Sequence, residues 1–340
     1  MPKGGTTARP LGAPGGGPAG AAGMPGNAGT ATGGKTLILL VISDNVYQDW
    51  QSRVFHYHMK KLLTPDQKLV TLISSPQPVD VAGKCAKKHN NCPLFPTGDY
   101  TKAANGDAFV VYNRAHAIRE YMDDFVARRA RGIDAEYTNV VIVEPDMIPL
   151  KPFDVVAPRG TVYGHSYFYM ERGYGGINNS QLIEYCSFRP DDVAPIGVPY
   201  VLHVDDLIAL LPLWIEKTVK MRLPQPWLAS HERSWIADMW AFACAAADLH
   251  LTSVASPTFG PETAIDAEPG DDSMVIHYTY GYRFPLPDGS KFEFEKRSWT
   301  VEAPTPRPYP EPPADQANKL EKIHMAALNE ALVAIFGPSE

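Results

Sequence analysis

The sequence predicts an α/β protein, built on a doubly wound, mostly parallel central sheet with helices on both faces. Three observations lead there. Strand-length apolar runs rich in β-branched residues, Lys35 to Ile42 (KTLILLVI) and Val140 to Val143 (VVIV), read as strands buried on both faces. Such runs alternate with helix-period segments in the order strand, helix, strand, loop, strand, helix, strand. The run at 140–143 ends in Glu144-Pro145-Asp146, two carboxylates at positions i and i+2. They can point together into the crevice beyond the strand end, where open sheets bind ligands.

Taken in order, residues 1 to 34 are dominated by Gly, Ala, Pro and Thr. With almost no large apolar side chain they cannot offset their ordering entropy and are expected to be disordered. The first strand ends at Ser43-Asp44, polar residues placed to cap the next helix and to meet a ligand. Trp50, Val54, Tyr57 and His58 recur at helical spacing through VYQDWQSRVFHYHMKKLL. Leu69 to Ile73 is a second strand, and the polar stretch 76–106 is expected to be a long functional loop. Ala108 to Tyr112 is strand-like and leads through Asn113-Arg114 into a helix. Its apolar stripe is Ile118, Tyr121, Met122, Phe125 and Val126, with Gly132 as the stop.

Beyond residue 153 the pattern is mixed. Thr161 to Met170 and Val198 to Val204 read as strands. Asp205-Asp206 can cap a helix running to about Met221, which Pro212 should kink. Ser234 to Leu251 reads as a helix and Met274 to Tyr280 as a strand carrying His277. Residues 303–313 (APTPRPYPEPP) form an extended linker, and a last amphipathic helix follows, with Leu320, Ile323, Ala327, Leu328, Leu332 and Phe336 apolar.

Composition narrows the function. At 340 residues, 44% hydrophobic, the chain can bury a full core. A net charge of -7 argues against nucleic acid, because neutralising phosphates requires a basic surface. No apolar run reaches the roughly 18 residues that span a bilayer. The four cysteines follow no zinc spacing: Cys85 and Cys92 share a polar loop and could close a small disulfide, and Cys186 and Cys244 read as buried thiols. Asn178-Asn179-Ser180 is an N-glycosylation acceptor pattern.

The residues offer chemistry at a few points, each with a plainer alternative. Glu144 and Asp146, followed by Pro149 and Pro152, suit a hard divalent cation holding phosphate oxygens, or else form a solvated acidic turn. His277 is a further metal ligand or a satisfied core histidine. Asp44 contacts a ligand or caps a helix. Arg114, beside Asn113, organises the acidic pair or makes a structural ion pair. Asp238, a carboxylate on an otherwise apolar helix, points at a substrate or makes a buried hydrogen bond. Lys296-Arg297 binds phosphate or is surface charge.

Glu-Pro-Asp after a hydrophobic strand resembles the metal-binding motif of GT-A nucleotide-sugar glycosyltransferases. Several longer segments resemble one family, the plant and algal hydroxyproline O-arabinosyltransferases: SDNVYQDWQSRVFHYHMKK, FVVYNRAHAIREYM, VVIVEPDMIPLKPF, RSWIADMWAFACAAADLH, IHYTYGYRF and FEFEKRSW, in family order over residues 37 to 300. The peptidyl-serine galactosyltransferases share a similar core and stay as an alternative, as does a non-catalytic protein that binds Pro-rich or glycosylated peptides.

The resemblance implies a GT-A catalytic domain over 35–302. It implies transfer of L-arabinofuranose from UDP-β-L-arabinofuranose to 4-hydroxyproline of a secreted protein or peptide, in the Golgi lumen and with net retention. Members usually begin with a membrane anchor, and none is evident in this sequence. The metal would be manganese, or magnesium, on Glu144, Asp146 and His277. Ser43, Asp44, Asn113, Arg114 and Lys296 would serve the nucleotide, and Asp146 and Asp238 would act at the reacting centre. A retaining transferase needs no dedicated base, since the leaving phosphate can take the acceptor proton.

Overall fold

A computed structural model describes residues 34–87, 93–170, 182–187, 189, 192–222, 234–257, 259–271 and 273–339. The expectation of disorder for residues 1–34 falls outside them except at Gly34, and the acceptor pattern Asn178–Ser180 falls outside entirely.

The first half of the chain gives β1 (Lys35–Ser43), α1 (Val46–Leu62), β2 (Gln67–Ser74), α2 (Val81–Lys87), β3 (Leu94–Thr97), α3 (Tyr112–Arg129), β4 (Tyr137–Val143) and β5 (Met147–Pro149). Then follow β6 (Thr161–Ser166), β7 (Ile196–His203), α4 (Val204–Arg222), α5 (Ala237–Asp248) and β8 (Thr252–Ser256). The chain closes with β9 (Val275–His277), β10 (Tyr282–Pro285), β11 (Lys291–Phe294) and α6 (Lys319–Phe336).

Seven strands form the central sheet in the order β3-β2-β1-β4-β7-β6-β8. Pairing is parallel throughout except at β7, which runs against both β4 and β6. The expected mostly parallel α/β sheet is therefore present. Leu37, Ile38, Leu39 and Leu40 of β1 are all fully buried, as a strand covered on both faces requires. Helices α3, α4 and α5 pack in succession, with α3 against β1 and β2, while α1 packs against β1 and carries α6, which also meets β5. The apolar runs become central strands because only a doubly covered position buries every residue of such a run.

The differences from the sequence reading have physical reasons. Phe109-Val110-Val111 is not a strand but the turn into α3, with one isolated bridge between Lys102 and Ala108. A five-residue apolar run such as Ala108 to Tyr112 cannot be told from a helix entry by period alone. The parallel edge strand is β3 instead, inside the stretch expected to be loop, where Pro96 breaks any apolar alternation. Val126, expected on the buried stripe of α3, is 44% exposed. Helix α4 runs uninterrupted through Pro212, which lies on its exposed side, so the carbonyl it frees can meet solvent while Leu207, Leu210, Leu211 and Trp214 hold the other side.

The strand expected over Thr161–Met170 ends at Ser166, and a 3-10 turn, Phe168–Met170, follows it. Likewise β9 is shorter than expected. Strand β8 and the β10–β11 hairpin were not foreseen. The stretch 303–313 is strapped to the body rather than free: Tyr309 N–H donates to Asn329 Oδ1 at 2.6 Å, and Arg307 Nε donates to the Gly337 carbonyl at 2.7 Å.

The cysteines also require a correction. Cys186 and Cys244, read as thiols, form a disulfide across 58 residues, with Cα atoms 5.0 Å apart. Linear spacing carries no trace of that approach. Cys92 and the side chain of Cys85, the expected pair, lie outside the described residues.

Candidate metal and nucleotide-sugar site

The site forms where the parallel strands end. Chain leaving β4 gives Glu144, Pro145 and Asp146 before entering β5, and β5 pairs antiparallel with β9 so that Met147 lies opposite His277. The His277 N–H donates to the Pro261 carbonyl at 2.9 Å and the Tyr278 N–H to the Asp146 carbonyl at 3.1 Å, which fixes the two segments against each other. Because β7 runs antiparallel and its last described partner on β4 is Ile142 opposite Tyr200, its first residues, Ile196 to Pro199, project past the end of β4 into the same region. Gly197 lets this happen: a Cβ there would sit 2.2 Å from Met239 and 2.5 Å from the Tyr167 ring.

One ligand atom from each of Glu144, Asp146 and His277 lies within 4.8 Å of the other two. The His277 Nε2 is 3.4 Å from Asp146 Oδ1 and 3.6 Å from Glu144 Oε2. Its Nδ1 meets the Tyr167 hydroxyl at 2.7 Å, and that hydroxyl donates its single proton to the Val198 carbonyl at 2.5 Å. Tyr167 must therefore accept from Nδ1–H, which leaves the Nε2 lone pair facing the two carboxylates. Burial also holds His277 below the ordinary imidazole range, although Asp146 pulls it back. A neutral imidazole with its lone pair between two carboxylate oxygens is a donor set that fits manganese or magnesium.

The other oxygen of each carboxylate is held by a cation. Lys296, 2% exposed and lying over the Tyr278 ring, bonds Asp146 Oδ2; Arg114, in the first turn of α3, bonds Glu144 Oε1. The second guanidinium nitrogen of Arg114 reaches Asp238 Oδ2 at 2.5 Å. Burial raises the Asp146 carboxyl, but the Lys296 ammonium outweighs it and holds the group well below its usual range. At Asp238 the balance goes the other way: full burial pushes it up and Arg114 only partly compensates.

Thus six of the sequence-predicted residues, Glu144, Asp146, His277, Arg114, Asp238 and Lys296, form one connected cluster. Lys296 is neither surface charge nor a group aimed at solvent. It is a buried partner of Asp146. Ser43 ends β1 and Asp44 follows it, and Asn113, next to Arg114 in α3, reaches Ser43 there. Asn113 Nδ2 donates to Ser43 Oγ at 3.2 Å and its Oδ1 accepts from Tyr100 N–H at 2.6 Å. Asp44 pairs with Lys84 at 2.6 Å, and the N-cap of α1 is Asn45.

A cavity of about 280 Å³ opens over the cluster. Besides the ligand residues it is lined by Tyr47, Tyr169, Trp235, Thr279, Tyr280 and Arg297. Three groups near the site were missed in the sequence. Tyr167 and Tyr47 lie in aromatic-rich stretches that look like ordinary core. Glu262 is bridged to His277 through the backbone and 2% exposed, and burial pushes its carboxyl up to about 8. It had no signal beyond a single acidic letter in a loop.

Comparison with known proteins places this geometry in a family. The N-terminal domain of the hydroxyproline O-arabinosyltransferase family matches residues 37–255, and the C-terminal domain of the same family matches residues 274–337. Hydroxyproline O-arabinosyltransferase NOD3 of Pisum sativum is 25% identical over 323 residues, covering 90% of this chain and 89% of that protein. Hydroxyproline O-arabinosyltransferase 1 of Arabidopsis thaliana is 24% identical, covering 86% and 78%. A peptidyl serine alpha-galactosyltransferase of Arabidopsis thaliana is 27% identical over 271 residues, covering 74% of this chain but 30% of that longer protein. With matches to both family domains over most of its length, the chain belongs to the hydroxyproline O-arabinosyltransferase family of glycosyltransferases.

Proposed function

We propose that this protein is a metal-dependent, retaining glycosyltransferase that moves L-arabinofuranose from UDP-β-L-arabinofuranose to the hydroxyl of 4-hydroxyproline in secreted proteins or peptides. The observation that carries the reading is the convergence of Glu144, Asp146 and His277 at the strand ends, in a chain of this family. These three residues would hold manganese or magnesium. When bound, the cation stabilises negative charge developing on the departing diphosphate.

The chain's own groups supply the rest. Arg297, on the cavity rim, offers a guanidinium to the phosphates, and Tyr47 offers a phenol beside it. Ser43, Asp44 and Asn113, at the end of β1, give hydrogen-bonding groups for the uridine. Asp238 holds Arg114, and through it Glu144, in place. No dedicated base is required, because in a retaining transfer the leaving phosphate accepts the hydroxyproline proton. The Cys186–Cys244 disulfide supports maturation in an oxidising compartment, in keeping with the Golgi lumen.

A second reading, transfer of galactose to peptidyl serine, is favoured by the similarity to the Arabidopsis galactosyltransferase. A donor screen separates the two. UDP release from UDP-arabinofuranose with manganese and a hydroxyproline peptide, and sugar on that peptide by mass spectrometry, is the expected result. Turnover of UDP-galactose alone would favour the second reading, and no turnover of any donor would remove both.

A further inference from the structure

We propose that Arg114 and Lys296 are positioning residues that make the divalent cation and the nucleotide diphosphate bind as a coupled pair, with the cation alone binding weakly. This deepens the reading of the nucleotide-sugar site and rests on it. The observation is the division of labour within each ligand carboxylate. Asp146 turns Oδ1 towards His277 and gives Oδ2 to Lys296; Glu144 turns Oε2 towards His277 and gives Oε1 to Arg114. Each ligand carboxylate has one oxygen left for a metal ion, while its other oxygen is held by a fixed cation, Lys296 wholly at Asp146 and Arg114 shared between Glu144 and Asp238.

The two cations cannot easily move away. Lys296 is buried and lies over the Tyr278 ring, 5.3 Å from its centroid. Arg114 is anchored at its far side by Asp238, whose side chain is 1% exposed. A divalent ion entering alone would therefore meet two fixed cations, each bonded to one of its ligand carboxylates, within the same largely buried cluster, where charge repulsion is far stronger than in bulk solvent. A diphosphate entering with the ion restores the missing negative charge and meets Arg297 at the cavity rim. Linkage then requires the reciprocal effect, in which the ion raises nucleotide affinity by the same factor.

Removal of Lys296 makes the inference testable with a sign that a merely structural role would not produce. Free manganese is counted by electron paramagnetic resonance as it is titrated into the full chain, with and without UDP. The wild type is expected to bind manganese at least about tenfold more tightly with saturating UDP, a factor one fixed charge readily supplies. Lys296→Met should bind manganese alone about tenfold more tightly than the wild type and gain less from UDP, and Lys296→Arg should restore wild-type behaviour. If Lys296→Met does not fold, Arg114→Gln carries the same expectation at Glu144, and the wild-type titration stands by itself.

Manganese binding to the wild type that UDP leaves unchanged would overturn the proposal, as would variants that bind the lone ion no better. Tight binding of the lone ion, with UDP still requiring it, sinks the coupling but leaves the nucleotide reading intact. Failure of UDP to bind under any condition sinks both.

Discussion

The hydroxyl of Tyr167 decides which nitrogen of His277 faces the carboxylates, since its own proton goes to the Val198 carbonyl. Tyr167→Phe keeps the ring and loses that instruction, so manganese affinity in the presence of UDP should fall on the order of tenfold to a hundredfold with little change in melting temperature. Calorimetry beside a melting curve checks it, and unchanged affinity would mean the tautomer is set elsewhere. Two other buried groups shape the pH dependence of stability in opposite senses. Burial raises Glu262 from 4.5 to about 8 and lowers His324 from 6.5 to about 3. From pH 6.5 to 8 the unfolded chain has released the Glu262 proton that the native state keeps, so this group's stabilisation drains away as pH rises. From pH 4.5 down to 3 the unfolded chain protonates His324 and the native state does not, so stability falls with pH. Between 4.5 and 6.5 the two effects cancel. Glu262→Gln should therefore flatten the decline in melting temperature above pH 6.5, measured without divalent ions, and His324→Phe should flatten the acid side. A variant profile parallel to the wild type in its own window would exclude that assignment.

Helix α6 shows how an element far along the chain supports the site. Leu320, Met325, Leu328, Ala331 and Leu332 share one buried cluster with Trp50 of α1, Ile276 of β9 and Phe294 of β11. His324, from the same helix, packs 4.8 Å from the Tyr278 ring that lies beneath Lys296. Leu328→Ala should cost about 2–5 kcal/mol in urea unfolding, a large part of a domain's stability. A cost below about 1 kcal/mol would show that the site collapses readily around the lost methyls. The disulfide makes a second test at this scale. It ties Cys186 to α5, the helix that carries Asp238 in its first turn, and chain-entropy arguments give a 58-residue closure about 4 kcal/mol. Reductant should lower the melting temperature by several degrees, and Cys244→Ala should do the same and become insensitive to reductant. Elements with their own period were legible in the sequence: β1, β4, α1 and α6 were read because burial on one or both faces writes itself into a run or a stripe. The short edge strand β3, with one buried residue in four, left no such pattern, and the β10–β11 hairpin alternates over only four residues a strand, too short a run to stand out.

At the scale of the molecule, the sheet gathers at one end the residues that the chain keeps far apart. Glu144 and Asp146 were legible because a strand delivers neighbours two apart to one place. Arg114 lies 30 residues before Glu144 and 124 before Asp238, and Lys296 lies 150 after Asp146, so their contacts come from topology rather than spacing. For the same reason the sequence offered surface charge or phosphate binding for Lys296 and gave no sign of its buried pairing with Asp146, at the wall of the cavity. The central claim is that nucleotide binds through an ion held by Glu144, Asp146 and His277. It is tested most directly by titrating UDP affinity against manganese in the wild type, His277→Ala and Asp146→Asn. Manganese should raise UDP affinity in the wild type, do so only at much higher concentration in His277→Ala, and have no effect in Asp146→Asn, with His277→Ala keeping its melting temperature within a few degrees. Equal manganese dependence in all three proteins would contradict the account.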